Sequence, residues 1–253
     1  MAGSPVKLEM GRTPDTTRLC WRHAGGWQIS QFLGNVWAEH QSGVPLDRVI
    51  DRLMRSSPPE MDAQPDGEAA RRSILPVIKT FGWHKTSLAQ LADMGRDLSD
   101  PENQPFILRL LAGDLIVTYV DDKDNSMSYV SNGDCKKLGL DLDELHALAM
   151  RNLQRDGLSK LEVRGGGGRY AARLDRNYDA SMVLLFEKWC DRMDLDGEPV
   201  IAIPARDELL VCGGNDAETM ASLQAMAVDI ASRAPYALSS TLFVWRGGRL
   251  QTL

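Results

Sequence analysis

The sequence has few residues of the types that bind metals or form disulfides, and these residues are scattered. Its four cysteines and four histidines form no C-x-x-C pair and no H-x-x-H or H-x-x-x-H spacing. The positions are Cys20, Cys135, Cys190, Cys212, His23, His40, His84 and His146. Because zinc motifs depend on such short spacings, a local metal motif is excluded, and only a site assembled from distant residues is left open. We expect free thiols and no cofactor.

An excess of positive charge is also lacking, since 29 lysines and arginines stand against 35 aspartates and glutamates, for a net charge of −6. Proteins bind nucleic acid by neutralising phosphates with basic side chains, so this balance argues against nucleic acid and favours a basic protein partner. No apolar run approaches the roughly 18 residues of a membrane-spanning helix, and the chain start shows no apolar leader. We expect a cytoplasmic protein that does not contact membranes.

Nucleotide-binding motifs are missing as well, although the stretch LEVRGGGGRYAARL places four glycines between Arg164 and Arg169. A phosphate-binding loop would need a following Lys-Ser or Lys-Thr and a helix, whereas RYAARL has the pattern of a strand. The glycines are therefore predicted to form a mobile hairpin loop. Whether Arg164 and Arg169 only solubilise this loop, or bind a partner that orders it, is left open.

The chain is expected to contain three regions. Residues 1–16 are polar and contain prolines, which is typical of a mobile tail. Residues 17–72 are predicted to form a hairpin around Gly25-Gly26, two amphipathic helices and, over 56–72, an exposed linker. Residues 73–253 are predicted to be an α+β core domain, although one continuous domain over 17–253 fits the pattern equally well. The structure of residues 80–105 is not readable from the sequence.

The second half alternates hairpins with helices. Pro76 interrupts SILPVIKTF, which favours an edge strand, and DLIVTYV with MSYVSN predicts a hairpin. From residue 158 the order ββαββαββ predicts an antiparallel or mixed sheet with helices packed on one face. The first of these two helices is expected in NYDASMVLLFEKWCDRM. Capping boxes are predicted where Asp141 precedes Glu144 and where Asn215 precedes Glu218.

Two polar clusters are the candidate binding sites. In LDRNYDAS, Tyr178 and Asp179 stand where a helix is expected to begin, so they are either helix caps or contacts to an anion or hydroxyl group. In IPARDELLV, Arg206 and Asp207 interrupt two apolar runs, and they either close a turn or present a guanidinium and a carboxylate together. No nucleophile motif of the form G-x-S-x-G surrounds Ser181.

The segments NYDASMVLL, VIAIPARDELLV and YALSSTLFVWRGGRL resemble the YtpQ-like family of uncharacterised bacterial proteins, also described as domain of unknown function 1444. SILPVIKTF and ALAMRNL add to the likeness, which is strongest over 145–253 and weaker from 73. The resemblance attaches to Tyr178-Asp179-Ala180-Ser181 and to Pro204 with Asp207, but it does not extend to Arg206. It implies a fold and no established activity.

Without a recognisable triad, metal motif or nucleotide loop, the sequence favours a protein-binding module without enzymatic activity. One example is an immunity protein that neutralises a basic toxin. The alternative is a small-molecule-binding protein or hydrolase-like enzyme that uses the polar cluster around Asp179 and Asp207. A third hypothesis is self-association through the terminal hairpin, as a sheet edge. The sequence does not specify the oligomeric state.

Overall fold

The structure is a computed structural model that describes residues 5–14, 17–22, 28–55, 67–101, 104–123 and 126–253. The chain divides into two compact units, Met1–Glu60 and Met61–Leu253. In the part of the chain that is described, no helix has the length and apolar character needed to cross a bilayer.

The first unit contains a three-stranded antiparallel sheet followed by two helices. Its elements are β1 (Lys7–Glu9), β2 (Arg18–Arg22), β3 (Gln28–Phe32), α1 (Gly34–Gln41) and α2 (Leu46–Arg55). Pairing of β2 with β3 confirms the predicted hairpin, although its turn lies outside the described residues. The two predicted helices are also present. β1 lies in the region expected to be a mobile tail, and it pairs with β2.

The second unit begins with helices around a four-stranded sheet. Its first elements are α3 (Gly67–Ser73), β4 (Ile74–Thr80), α4 (Phe81–Asp93), β5 (Arg109–Ala112), β6 (Leu115–Lys123), β7 (Ser126–Tyr129), α5 (Asn132–Leu138) and α6 (Leu142–Gly157). The predicted edge strand is β4, which pairs only with β6 among the described strands, and β6 with β7 is the predicted hairpin. Asp141 and Glu144 form the predicted capping box of α6.

The expected linker over 56–72 is partly wrong, because its last residues form α3. Residues 56–66 lie outside the described part of the chain. The segment GEAARRS has no apolar periodicity, but alanine, glutamate and arginine are good helix formers. Arg72 pairs with Glu68 one turn earlier, at 2.8 Å.

The rest of the chain forms a six-stranded antiparallel sheet in the order β13-β12-β10-β11-β9-β8. Its elements are β8 (Glu162–Gly166), β9 (Arg169–Arg173), two 3₁₀ segments (Ala180–Lys188 and Cys190–Arg192), β10 (Pro199–Ala205), β11 (Glu208–Gly213), α7 (Ala217–Arg233), β12 (Leu242–Arg246) and β13 (Arg249–Thr252). This confirms the predicted α+β class and the alternation of hairpins with helical segments. The terminal hairpin lies at one edge of the sheet.

Both faces of this sheet are covered, rather than the single face that was expected. Strand alternation directs Val200 and Ala202 towards α7, where they join a core with Leu223 and Ala227. On the opposite face Ile201 belongs to a larger core that also includes α6, β4, β6 and the first 3₁₀ segment. The strands are therefore buried on both sides, and their short apolar runs are consistent with this.

Two predictions about helices in this half need correction. The apolar segment predicted as one helix is 3₁₀ and has a non-helical backbone at Leu185. It is apolar on almost every side and lies inside the core, so tertiary packing rather than an amphipathic stripe determines its path. The residue that caps α7 is Asp216 and not Asn215, since the Asp216 carboxylate accepts bonds from the backbone N–H groups of Glu218 and Thr219.

Candidate functional site

The glycine run forms the turn of the hairpin between β8 and β9. Gly167 and Gly168 have φ values of 58° and 77°, which place both in the left-handed region that a tight two-residue turn requires. Gly165 has a φ of 136°, and a Cβ there would lie 2.1 Å from the carbonyl oxygen of Arg169. Three of the four glycines are thus required by backbone geometry, which explains a run longer than a two-residue turn needs.

Arg164 and Arg169 flank this turn at the edge of a groove between the sheet and α7. Arg164 forms an ion pair with Glu162 on the same strand, and both side chains are exposed. Nε and Nη2 of Arg169 each lie 3.4 Å from Oγ1 of Thr219. The groove has a volume of about 220 Å³ and is otherwise lined mainly by apolar side chains, including Leu210 and Met226. The two arginines are among the residues that line this groove.

Asp179 is fully buried, and its carboxylate organises the loop before the first 3₁₀ segment. It accepts hydrogen bonds from the backbone N–H groups of Leu174 at 3.1 Å, Asp175 at 3.1 Å and Arg176 at 2.6 Å. Arg176 has a φ of 69°, so these bonds hold a backbone conformation that is unusual outside glycine. The side chain does not cap its own helical segment. These three bonds occupy the carboxylate and favour a structural role for it.

Tyr178 is also buried, and its hydroxyl donates a hydrogen bond to Oδ2 of Asp122 at 2.6 Å. Burial and this hydrogen bond both raise the pKa of the Tyr178 phenol. The hydroxyl therefore stays protonated at neutral pH, and it links the loop before the 3₁₀ segment to the end of β6.

Arg206 and Asp207 occupy the turn between β10 and β11, but their side chains interact with different partners. Asp207 pairs with Arg176, with 3.6 Å between Oδ2 and Nη2. The guanidinium of Arg206 lies over the ring of Tyr236, with its central carbon 3.7 Å from the ring centroid. Nε of Arg206 is buried and has no hydrogen-bond partner among the residues that the structure describes. Of the two alternatives for these residues, the structure shows them in the turn, and their side chains do not form a guanidinium and carboxylate pair.

Lys79, near the end of β4, interacts electrostatically with Arg206. The sequence analysis did not identify Lys79 as a candidate site residue. It is partly buried, and Nζ lies 5.2 Å from the centroid of the Trp83 ring. Burial, and to a smaller extent the positive charge of Arg206, lower the pKa of Lys79 to about 8. Within the described ranges no carboxylate lies within ion-pair distance of either side chain. The charges of Lys79 and Arg206 thus interact, and neither is balanced by a carboxylate in the described part of the chain.

Each of the two cations lies against one aromatic ring, Lys79 against Trp83 and Arg206 against Tyr236. Trp83, Phe106 and Tyr129 pack against one another with centroids 5.0 to 5.1 Å apart. Burial raises the pKa of Tyr129, while the charge of Arg206 acts in the opposite direction. We call Lys79, Trp83, Tyr129, Arg206 and Tyr236 the cationic corner. Its members come from β4, α4, β7, the β10–β11 turn and the segment before β12.

The cationic corner could not be assembled from the sequence, because its residues are distant along the chain. Backbone pairing brings them together: the N–H of Arg206 donates to the carbonyl of Tyr236 at 3.0 Å, and Ala205 bridges Ala237. The one local signal was the segment IKTFGWH, where Lys79 ends an apolar strand and aromatic residues follow. In the described part of the chain, no group of three His, Cys, Asp or Glu side chains is arranged to hold a metal ion.

The chain is similar to a bacterial protein whose function is not described. A UPF0354 protein of Listeria monocytogenes serotype 4a (strain HCC23) is 28% identical over 140 residues, which are 54% of this chain and 52% of the relative. The chain therefore spans about half the length of the curated relative that it matches. No family model matches the chain, and no solved structure matches it. The similarity indicates an uncharacterised bacterial family.

Proposed function

We propose that this protein binds a small organic anion at the cationic corner. The observation that carries the proposal is the pair of partly buried cations, Lys79 and Arg206, which have no carboxylate partner among the described residues. Buried charges in proteins are normally paired, because an unpaired charge loses its hydration without compensation. A bound anion would supply the missing negative charge.

The surrounding groups define the chemistry of this anion. The Arg206 guanidinium offers a planar set of donors suited to a carboxylate or phosphate, and its buried Nε has no partner in the described ranges. Trp83, Tyr129 and Tyr236 add apolar and aromatic surface. A small molecule with one acidic group and an apolar part therefore fits this region best.

A polymeric anion fits less well. The chain carries a net charge of −6, and nucleic-acid binding requires many phosphates to be neutralised over an extended surface. Two cations in one corner are enough for a single acidic group, and the acidic remainder of the chain would repel a polyanion.

Thermal unfolding of the dialysed protein tests the proposal with pyruvate, benzoate and inorganic phosphate as probes. A ligand at about 100 times its Kd stabilises the folded state by about 2.7 kcal/mol, which raises Tm by roughly 5 to 10 °C for a domain of this size. Arg206→Gln should abolish the shift. Arg246→Gln is the matched control, because Arg246 is exposed and pairs with Glu198. The proposal fails if no anion raises Tm, or if both variants respond equally.

Binding of a basic protein partner, with an immunity protein as the example, rests on net charge alone and stays a prediction. Membership of the YtpQ-like family, domain of unknown function 1444, is likewise proposed, supported by the similarity to the Listeria protein over about half of each chain. Neither proposal conflicts with a small-anion site in the second unit.

A further inference from the structure

The groove beside α7 exists because the helix covers only part of the six-stranded sheet. Among the described elements α7 packs mainly on β10 and β11, whereas β9 and β8 follow β11 towards the edge of the sheet. The helix therefore leaves a gap over the β8–β9 hairpin, and this gap is the groove of about 220 Å³. Its lining residues and those of the cationic corner are entirely different.

Strand register places two arginines and an apolar strip on the same side of the sheet. Arg169 lies opposite Cys212 on β11, and Ala171 lies between Leu210 on β11 and Arg164 on β8. Directly paired residues, and residues two apart on one strand, point to the same face of a sheet, so all five face α7. The sheet side of the groove therefore combines a buried apolar strip with two exposed guanidinium groups.

The helix side of the groove changes from polar to apolar along its length. Thr219, Ser222, Leu223 and Met226 line it, and their spacing of three, four and seven residues puts them on one face of α7. Seven residues at 1.5 Å each span about 10 Å from Thr219 to Met226. Arg169 contacts Thr219, so the groove runs from guanidinium and hydroxyl groups near the start of α7 to apolar side chains near Met226.

Arg169 has hydrogen-bond donors that remain available to a ligand. Its two contacts with Oγ1 of Thr219 are 3.4 Å long, whereas ordinary N–H···O bonds measure about 2.7 to 3.2 Å. The charge of Asp216 acts on Arg169, but that carboxylate already accepts bonds from Thr219 Oγ1 and from the N–H groups of Glu218 and Thr219. In the described ranges no carboxylate lies within ion-pair distance of Arg169.

We infer that the groove binds a saturated fatty acid of about eight carbons, with its carboxylate at Arg169 and its chain extending towards Met226. Small-molecule sites combine a mainly apolar lining with a few polar groups that fix the orientation of the ligand, and this groove has that composition. Its volume is below the range of about 300 to 1,000 Å³ that holds drug-sized ligands, which favours one narrow chain. The carboxylate supplies the charge that Arg169 lacks, and the chain covers the apolar strip.

Isothermal titration calorimetry with butanoate, hexanoate, octanoate and decanoate tests the inference. Affinity should rise about fourfold for each added methylene up to octanoate, because each methylene leaves water for an apolar surface. The gain from octanoate to decanoate should be smaller, since the longer chain extends past Met226 into solvent. Octan-1-ol has the same chain without the carboxylate, and it should bind on the order of tenfold more weakly than octanoate.

Two variants, each with a matched control, locate the ligand. Ser222→Phe fills the groove and should lower octanoate affinity by about tenfold or more, whereas Val228→Phe places the same ring on an exposed part of α7 outside the groove. Arg169→Gln should weaken octanoate about tenfold and leave octan-1-ol unchanged. Arg249→Gln is its control, because Arg249 is exposed on β13 at the opposite edge of the same sheet.

Three results would overturn the groove site. The first is equal affinity for butanoate and octanoate, or for octanoate and octan-1-ol. The second is loss of octanoate binding in Arg206→Gln but not in Arg169→Gln, which would place the carboxylate at the cationic corner. The third is a dimer, detected by light scattering, that Ser222→Phe dissociates, because a second copy of the chain would then fill the groove. The response to pyruvate reports the cationic corner separately, so either site can fail without the other.

Discussion

Replacing Lys79 by methionine should stabilise the protein at neutral pH. Methionine keeps the unbranched apolar chain that packs near Trp83 but removes the ammonium group. The pKa of Lys79 falls from 10.5 to about 8 on folding, mainly because burial disfavours the charged form. At about 1.36 kcal/mol per pKa unit this corresponds to about 3 kcal/mol. Partial exposure of the side chain screens the charge, so we expect a gain of about 2 kcal/mol.

The gain should depend on pH in a defined direction. Because the folded-state pKa is lowered, the unfolded chain binds more protons between pH 8 and 10.5, and the wild-type protein becomes more stable as pH rises through that window. The methionine variant lacks this rise. The difference between the two proteins should therefore be largest at pH 7 and fall by about half or more by pH 9.5.

Urea denaturation of dialysed protein at pH 7 and pH 9.5 measures both quantities. Lys85→Met is the matched control, because its ammonium lies at the same 5.2 Å from an aromatic ring but is exposed, and little change is expected at either pH. A destabilised Lys79→Met, or a difference from wild type that is the same at both pH values, would refute the reasoning. It would mean that Lys79 has a compensating partner in the folded chain.

The remaining predictions concern the fold. Gly165→Ala should cost about 2 to 3 kcal/mol in urea denaturation, because its Cβ would lie 2.1 Å from the carbonyl oxygen of Arg169, whereas Gly166→Ala, with open space around its Cβ, should be close to neutral. Asp179→Asn should cost about 3 kcal/mol in the same assay, since an amide cannot accept all three backbone bonds; an unchanged midpoint would contradict the loop role. Asn152→Leu should cost about 2 kcal/mol and speed amide exchange in α3, because its Nδ2 donates to two backbone carbonyls; retained exchange protection there would count against this.

The parts of the fold that the sequence predicted are those determined by neighbouring residues. The β8–β9 hairpin follows from strand alternation around glycines, and the start of α6 follows from Asp141 and Glu144 three residues apart. The predicted cap of α7, Asn215, is one residue before the observed cap, Asp216. Both residue types are good caps, and only the backbone path decides between them. The 3₁₀ segment could not be predicted, since its conformation depends on packing from several sides.

The candidate site residues likewise differ in whether neighbouring residues in the sequence or distant contacts determine their surroundings. Arg164 and Arg169 were singled out by their position beside the glycines, and the structure places them on a groove. Asp179 and Asp207 were singled out as a polar cluster, but their bonds are to loop N–H groups and to Arg176. Lys79 was not singled out, because a lysine at the end of an apolar strand is ordinary in sequence. Burial of its side chain, together with the charge of Arg206 from a distant turn, makes its charge unusual.

The net charge of −6 therefore carries different information at two scales. Over the whole chain it argues against polyanions, and this conclusion needs no structure. The net charge does not predict the local charge around a site, because several carboxylates already have partners. Asp216 caps α7, and Glu198 forms an ion pair with Arg246. The cationic corner has no such carboxylate among the described residues. An acidic protein can thus hold a site for an anion, provided that the anion is small enough to interact with the corner alone.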